Sequence, residues 1–297
     1  MSLNMFVQHF FNALTLGSLY GLIAIGYTMV YGILRLINFA HGDMFMLGAY
    51  FVFFATTLWA LPWSLAVVVA IIGTALCGVL VDRMAYRPLR DAPRISALIS
   101  AIGVSFFIQN LSLVLFTGLP RAVMRPDWLV NVIKFGDIRI LPLAIIVPIV
   151  TAALVASLLW VIYRTKPGLA MRAISKDIET TRLMGVPVDK VIAMTFAIGS
   201  ALAAASGIMW ALRYPQINPF MGLVPGNKAF IAAVFGGIGS IQGAVVGGMI
   251  LGFIEIMVVA FFPGLSGYRD AFAFILLIVI LLMKPTGLMG EKLEDKI

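Results

Sequence analysis

The sequence predicts an all-α membrane protein: a polytopic transmembrane helical bundle of eight to ten spans with a broken or re-entrant glycine-rich segment. Hydrophobic residues fill 62% of the 297 positions and charged residues only 11%, and the mean hydropathy is +1.05. These values lie far outside the composition of ordinary soluble domains. The apolar residues form long blocks, not the alternating segments of about ten residues that build a membrane β-barrel.

The lengths of the apolar blocks predict the spans. A helix rises about 1.5 Å per residue, so about 20 apolar residues cross a hydrocarbon core of about 30 Å. On this scale the spans lie near residues 10–34, 44–61, 63–82, 96–117, 140–163, 191–213 and 268–283, with a glycine-rich block at 227–262. No Lys or Arg precedes Arg35, so the basic region of a cleaved signal peptide is missing and the first block is expected to remain as a span.

The positions of Lys and Arg predict the orientation. Segments 83–94 and 164–190 are rich in basic residues and 214–226 has none, which places the first two in the cytoplasm. Segment 118–139 conflicts with this rule, because it carries four basic residues although it lies one span away from both cytoplasmic segments. Two crossings in block 227–262 give nine crossings, with the N-terminus outside and the C-terminal tail inside.

Membrane orientation accounts for the basic residues better than nucleic-acid binding does, although the net charge is +8. Cys77 is the only cysteine, so the sequence contains no disulfide framework and no cysteine-based metal site. The chain 1–297 is predicted to be a single transmembrane domain, because its longest polar segment is too short to fold alone. It contains no Walker A pattern. Any ATP hydrolysis must therefore belong to another chain, and we expect neither enzyme activity nor a bound cofactor or metal.

The polar interruption between the first two predicted spans contains Asn38, His41 and Asp43. These residues could line a translocation route or support one. They could also form an ordinary turn, since a His beside an Asp commonly just satisfies a hydrogen bond. The structural interpretation is favoured, and the functional one stays open.

The glycine-rich block supplies a second set of candidates for a translocation path: Gly236, Gly237, Gly239 and Ser240. Three glycines within four residues disfavour a continuous helix, and they can leave carbonyl groups and helix ends facing a cavity. Other small residues recur at four-residue spacing, as in Gly17/Gly21, Gly199/Ala203/Gly207, Gly243/Gly247 and Gly248/Gly252. For these we predict close packing between helices.

Glu255 is a third candidate because it lies inside an apolar run. An ionised carboxylate that faced lipid would cost about 2.5–3.5 kcal/mol, so this side chain must face protein or water. It could serve the translocation path, or it could join two helices as a protonated or paired group. The same two interpretations apply to Gln109 and Asn110 in the fourth span.

Segment 164–190 is predicted to be a cytoplasmic coupling segment. Pro167 and Gly168 break the preceding helix, residues 169–184 are expected to form one short amphipathic helix, and Gly185 ends it. Ile174, Ile178 and Thr181 share one face at spacings of four and three. Such a helix suits docking into a groove on a partner, although an ordinary solvated connector would have a similar pattern.

Within this segment, residues 179–185 (ETTRLMG) resemble the E-A-A-x-x-x-G loop through which bacterial ABC importer permeases contact their ATPases. Both alanines are replaced by threonine, and the downstream Ile-x-Leu-Pro part is absent. Further segments resemble, in order and over nearly the whole chain, the H-type permease of branched-chain amino acid ABC importers. They are 34–43 (LRLINFAHGD), 86–90 (YRPLR), 168–173 (GLAMRA), 196–199 (FAIG), 230–240 (FIAAVFGGIGS) and 284–290 (KPTGLMG). Gln242 departs from the family pattern, which often has Pro at this position.

This resemblance implies a permease subunit of a heteromeric importer in the bacterial inner membrane. Its partners would be a second, M-type permease, two ATPase subunits that bind the ATP, and a periplasmic binding protein that selects Leu, Ile, Val or related substrates. The implied ATPase-coupling residues are Arg172, Asp177, Glu179, Thr180, Thr181 and Gly185. Permeases for amides, urea or other amino acids are the alternatives within the family. An ion-coupled secondary transporter is less favoured, because Glu255 is the only acid well inside a span. A passive channel is the third possibility.

Overall fold

The computed structural model describes residues 3–90, 92–136 and 138–290, and these residues form a bundle of α-helices, as predicted. The α-helices are α1 (Leu3–Leu34), α2 (His41–Thr57), α3 (Trp63–Val81), α4 (Arg94–Phe116), α5 (Asp127–Val130), α6 (Pro142–Arg164), α7 (Lys166–Lys176), α8 (Ile178–Leu183), α9 (Val188–Arg213), α10 (Leu223–Gly236), α11 (Ile241–Phe261) and α12 (Arg269–Met283). Helix α3 continues through a π-helical turn (Asp82–Tyr86) into a 3-10 turn (Arg87–Leu89), and a second 3-10 turn (Pro263–Tyr268) precedes α12.

The predicted apolar blocks coincide with long helices. Among the described residues, seven helical segments are long and apolar enough to cross a membrane. Helices α2 and α10 are shorter, with 17 and 14 residues, and 14 residues at about 1.5 Å each cannot cross a core of about 30 Å. The helical membrane fold is confirmed, whereas the count of eight to ten spans stays a prediction.

The glycine-rich block is broken, as predicted. Helix α10 ends at Gly236 and α11 begins at Ile241, and between them Gly237 and Gly239 have φ angles of 108° and 99°. This left-handed region is readily open only to glycine. The two parts are unequal, since α10 is short and α11 has 21 residues.

Helices α1 and α9 form the centre of the bundle, and α1 packs along α11 through the small residues that the sequence indicated. A Cβ atom on Gly248 would lie 2.4 Å from the backbone nitrogen of Gly21, and one on Gly252 would lie 2.3 Å from that of Gly17. Only glycine allows the two backbones to approach this closely, which is how helices associate in lipid.

The described residues form four short strands in the segments that connect α4 to α6 and α9 to α10: β1 (Arg121–Ala122), β2 (Ile133–Phe135), β3 (Ile138–Ile140) and β4 (Gln216–Ile217). Strand β1 pairs with β4, and β2 pairs with β3, both antiparallel. The first pair joins segments 118–139 and 214–226 at the same end of the bundle. The predicted order of spans puts both segments on the side of the membrane opposite the cytoplasm, and their contact agrees with that prediction. It does so although the first segment is basic and the second has no basic residue.

The structure corrects the prediction of a single helix over residues 169–184. Helix α7 ends at Lys176, and α8 begins at Ile178 after an extended residue, Asp177. The Asp177 side chain accepts hydrogen bonds from the backbone N–H and hydroxyl groups of Thr180, at 3.1 and 2.7 Å. Asp177 therefore caps a new helix.

The close contact between α1 and α11 predicts that adding one methyl group destabilises the protein at this contact but not at an open position of another helix. We expect Gly248→Ala to destabilise the protein by about 1–3 kcal/mol, because two backbones must separate. The matched change Gly103→Ala, with nothing within 4 Å of the added Cβ, should be neutral or stabilise by up to about 1 kcal/mol. Thermal unfolding of the purified variants measures both effects, and equal unfolding midpoints would contradict the packing described.

Candidate functional site

The N-terminal end of α2 is held inside the bundle by hydrogen bonds of the preceding turn. The hydroxyl group of Tyr86 donates to Asn38 Oδ1 at 3.0 Å, and the backbone N–H of His41 donates to the carbonyl of Asn38 at 3.1 Å. Asn38, His41 and Asp43 are all buried. The structure thus brings these three predicted candidates together around one interior helix end.

The imidazole of His41 fills the space that a side chain at position 26 would occupy. A Cβ on Gly26 would lie 2.2 Å from two atoms of this ring, and Tyr27 packs edge-on against it with ring centroids 4.8 Å apart. His41 Nε2 makes no hydrogen bond with any residue in the described ranges. The ring is therefore held by its packing and by a hydrogen bond to the backbone of Ile23, and its Nε2 atom stays unbonded within the described residues.

The carboxylate of Asp43 lies in the first turn of α2 and is 2% exposed. Gln109 of α4 donates to its Oδ1 at 2.9 Å and also to Ser105 Oγ at 3.0 Å. The other oxygen, Oδ2, has no hydrogen-bond partner within the described part of the chain. Asn110 differs from Gln109, because it is exposed and donates to the backbone of its own helix.

The N-terminal ends of α2 and α10 meet at a cavity. Backbone contact is tight here, since a Cβ on Gly222 would lie 2.1 Å from the carbonyl oxygen of Gly42, and one on Gly226 would lie 3.0 Å from its Cα. A cavity of about 120 Å³ adjoins this contact. It is lined by Tyr27, Phe39, Gly42, Asp43, Ile102, Ser105, Phe106, Gln109, Gly222, Leu223, Gly226 and Asn227.

Glu255 belongs to a separate, partly buried ion cluster. Its carboxylate accepts hydrogen bonds from Lys228 Nζ at 2.8 Å and from the hydroxyl of Tyr20 at 3.0 Å. Lys228 also pairs with Asp270 at 2.6 Å, and Arg269 lies 3.5 Å from Glu255. Lys228 and Glu255 are buried, whereas Arg269 and Asp270 are half-exposed. The two acids and two bases balance in charge, and the buried carboxylate has a counter-charge beside it.

The glycine-rich candidates serve contacts within the subunit and do not line the cavity at Asp43. A Cβ on Gly236 or Gly237 would collide with the backbones of Gly243 and Gly290, respectively. The hydroxyl of Ser240 accepts a hydrogen bond from the N–H of Gly243 at 3.1 Å and caps α11. A Cβ added at Gly239 would have no atom within 4 Å.

The coupling segment exposes most of its predicted residues. Arg172, Glu179 and Thr180 are exposed, and Arg172 lies over the ring of Tyr163 on α6. Thr181 is buried, and its hydroxyl donates to the carbonyl of Asp177 at 2.5 Å.

The predicted apolar face of this segment packs against the bundle. Ile174 is fully buried, so it cannot dock to a partner. The most exposed apolar residues of the segment are Leu183 and Met184, with 87% and 79% of their surfaces accessible. They lie just before Gly185, whose φ of 80° ends α8. These two neighbours, named the apolar tip below, were missed in the sequence.

An ionic cluster joins this segment to the end of α3. Arg90 bonds Asp82 and Asp189, both at 2.6 Å, and Arg87 bonds Asp189 at 2.5 Å. Asp189 lies in the first turn of α9, near the end of the coupling segment. Tyr86, which holds Asn38, lies between Asp82 and Arg90 in sequence. The coupling segment is therefore connected to the interior end of α2 through few contacts.

A helical membrane bundle in which interior helix ends meet at a polar cavity has the architecture of a membrane transport protein. A family model described as "Branched-chain amino acid transport system / permease component" matches residues 9–281. The chain belongs to this family, and the resemblance found in the sequence is confirmed.

Two relatives resemble the chain over almost its whole length. It is 42% identical to the high-affinity branched-chain amino acid transport system permease proteins LivH of Salmonella typhimurium and BraD of Pseudomonas aeruginosa. Each alignment covers 98% of this chain and 98% of the relative. The solved structure of PsaBC from Streptococcus pneumoniae in complex with Fab covers 93% of this chain and 91% of its own, with 15% identity and a TM-score of 0.47, which is too distant to support an argument.

Sequence reasoning also missed Lys228, Tyr20 and Tyr86. Lys228 carried a signal, since a basic residue inside an apolar block needs a partner as much as Glu255 does. The two tyrosines carried none, because tyrosine is common in membrane helices and its partner depends on the tertiary fold.

The paired state of Glu255 predicts a double-mutant effect. We expect Lys228→Met alone to destabilise the protein by about 3–5 kcal/mol, because it leaves Glu255 buried without its main counter-charge. The double variant Lys228→Met/Glu255→Leu should recover most of this loss, since the remaining Arg269 and Asp270 still balance in charge. Thermal unfolding of the two single variants and the double variant measures the coupling. Additive losses would show that the two side chains do not form a pair.

Proposed function

We propose that this chain is the permease subunit of an ATP-driven importer for branched-chain or similar amino acids in the inner membrane of a bacterium. Residues 1–297 act as a single transmembrane domain in this proposal. The observation that carries it is the 42% identity, along 98% of the chain, to permeases named for high-affinity transport of branched-chain amino acids.

The proposed partners are a second, M-type permease, two cytoplasmic ATPase subunits and a periplasmic binding protein. The chain itself is proposed to catalyse no reaction and to bind no cofactor, because the ATP is bound by the ATPase subunits. The apolar tip supports a partner on the cytoplasmic side, since large side chains so exposed beside charged residues are typical of a docking surface. The bound ATPase would also contact the surrounding residues Arg172, Asp177, Glu179, Thr180 and Gly185.

The cluster of Arg87, Arg90, Asp82 and Asp189 offers a mechanical link for the proposed coupling. A displacement of α8 by the ATPase would move the start of α9, to which Asp189 belongs. Asp189 would pull on the two arginines, and through the turn that contains Tyr86 the motion would reach Asn38 and α2. Charge-assisted hydrogen bonds are stronger than neutral ones, and the pair of Arg90 and Asp82 is largely buried.

We place the translocation path at the interior ends of α2 and α10. Backbone that leaves the helical pattern within a membrane is tolerated where it lines a cavity or is buried in protein, and the cavity at Asp43 lies at such a point. The charge-balanced cluster around Glu255 makes an ion-coupling role for this residue unattractive, because coupling needs a group that can exchange its ion.

Reconstitution tests the proposal. The four-subunit complex in proteoliposomes with the binding protein should accumulate labelled leucine only when ATP is present on the cytoplasmic side. The same chain reconstituted alone should not transport leucine. Uptake by the chain alone, or uptake driven by a proton or sodium gradient without ATP, would overturn the importer assignment.

The apolar tip predicts a specific loss of coupling. We expect Leu183→Asp/Met184→Asp to abolish ATP-driven uptake and the ATPase stimulation caused by the loaded binding protein, because two charges would replace the apolar contact. The bundle should keep its unfolding temperature, since both side chains point away from it. The exchange Leu183→Met/Met184→Leu keeps the apolar character and serves as the matched control. Normal stimulated ATPase activity in the double-Asp variant would show that the segment is a plain connector.

A further inference from the structure

We infer that the cavity between α2, α4 and α10 binds the α-ammonium group of the transported amino acid at Asp43 Oδ2. The inference rests on the proposed importer function and adds to it a binding subsite with a defined chemistry. The observations that carry it are the burial of Asp43, its unpartnered oxygen and the composition of the cavity walls.

Asp43 has one satisfied and one unsatisfied oxygen. Gln109 donates to Oδ1, and Ser105, which also receives a hydrogen bond from Gln109, faces the same carboxylate. No ion pair found among the described residues involves Asp43, and Oδ2 has no hydrogen-bond donor there. A buried carboxylate oxygen without a partner is costly and calls for an explanation. A cationic ligand that enters the cavity would supply one.

The position of Asp43 suits a ligand rather than a structural ion pair. Asp43 lies in the first turn of α2, where the helix dipole favours a negative charge. Its nearest cationic candidate along α10, Lys228, is already engaged by Glu255 and Asp270. The charge of Asp43 is thus left for a ligand.

The opposite end of an amino-acid zwitterion also finds a complement in the cavity. The N-terminal end of α10 reaches the cavity at Gly222, Leu223 and Gly226. The N–H groups of Leu223 and Gly226 already donate to the carbonyls of Phe220 and Gly222, so it is the positive end of the helix dipole that favours a carboxylate here. A ligand with its ammonium group at Asp43 and its carboxylate at this helix end would have both charges compensated.

Apolar residues complete the cavity. Phe39, Ile102, Phe106 and Leu223 line it together with the ring of Tyr27. The cavity of about 120 Å³ approaches the size of the engineered cavity of about 150 Å³ that holds benzene, so a branched aliphatic side chain fits. Neutral amides and urea lack the cation that Asp43 would bind, and the inference therefore favours amino acids among the substrates of related permeases.

The variant Asp43→Asn tests the charge, since asparagine keeps an acceptor oxygen for Gln109 and nearly the same shape. In the reconstituted complex with its binding protein, we expect at least a tenfold loss of leucine uptake. Assembly and stimulated ATPase activity should be retained. Asn110→Leu changes a polar residue of α4 that follows Gln109 but lies outside this cavity, and it should leave uptake unchanged. Uptake by Asp43→Asn within twofold of wild type would overturn the inference.

A second measurement uses the unmodified complex and does not depend on folding of the variant. Labelled leucine is bound to the four-subunit complex in nanodiscs without the binding protein, and two analogues compete for it. We expect displacement by 3-methylbutylamine, which keeps the ammonium group, and none by 4-methylpentanoate, which lacks it. Equal displacement by 4-methylpentanoate, or the absence of displaceable leucine binding, would overturn the proposed subsite. Neither result would affect ATP-driven uptake, so the proposed function would still stand.

Discussion

The structure depends on one constraint: inside a membrane, each backbone polar group must be satisfied within the protein. Helices α2 and α10 nevertheless begin inside the bundle, where Gly42 packs against Gly222 and Gly226. Their ends are tolerated because protein surrounds them and a cavity adjoins them. The hydrogen bond from Tyr86 to Asn38 holds the turn that makes this arrangement possible.

Ion pairs and close helix packing hold the N-terminal ends of α2 and α10 in place from opposite sides. The cluster of Lys228 and Glu255 fixes the first turns of α10 against α11, and the glycine contacts fix α11 against α1. On the other side, Arg90 ties the end of α3 to Asp189 at the start of α9. A subunit built in this way has a rigid frame around two interior helix ends, and its coupling segment is attached to that frame through an ionic cluster. This is the arrangement that a transport path driven by a partner requires.

Much of the fold followed from the sequence because membrane spans depend on local composition. The apolar blocks predicted the long helices, and Gly236 and Gly237 predicted the break before α11. The single helix over 169–184 was wrong, because the capping power of Asp177 outweighed the continuous amphipathic pattern. The candidate site was harder to predict from the sequence, since the residues that contact each other there are far apart in the chain. Gln109 meets Asp43 across 66 positions, and sequence periodicity carries no information about such a contact.

The central claim is that the interior ends of α2 and α10 enclose a water-accessible path for an amino acid. Cysteine accessibility tests it most directly, because Cys77 is the only cysteine and can be replaced by alanine. We predict that Asn227→Cys, at the cavity, reacts with a charged, membrane-impermeant thiosulfonate reagent and that leucine slows the reaction. Ile149→Cys, on the exposed apolar face of α6, should not react. An unreactive cysteine at position 227, or reactivity equal to that at 149, would contradict the account.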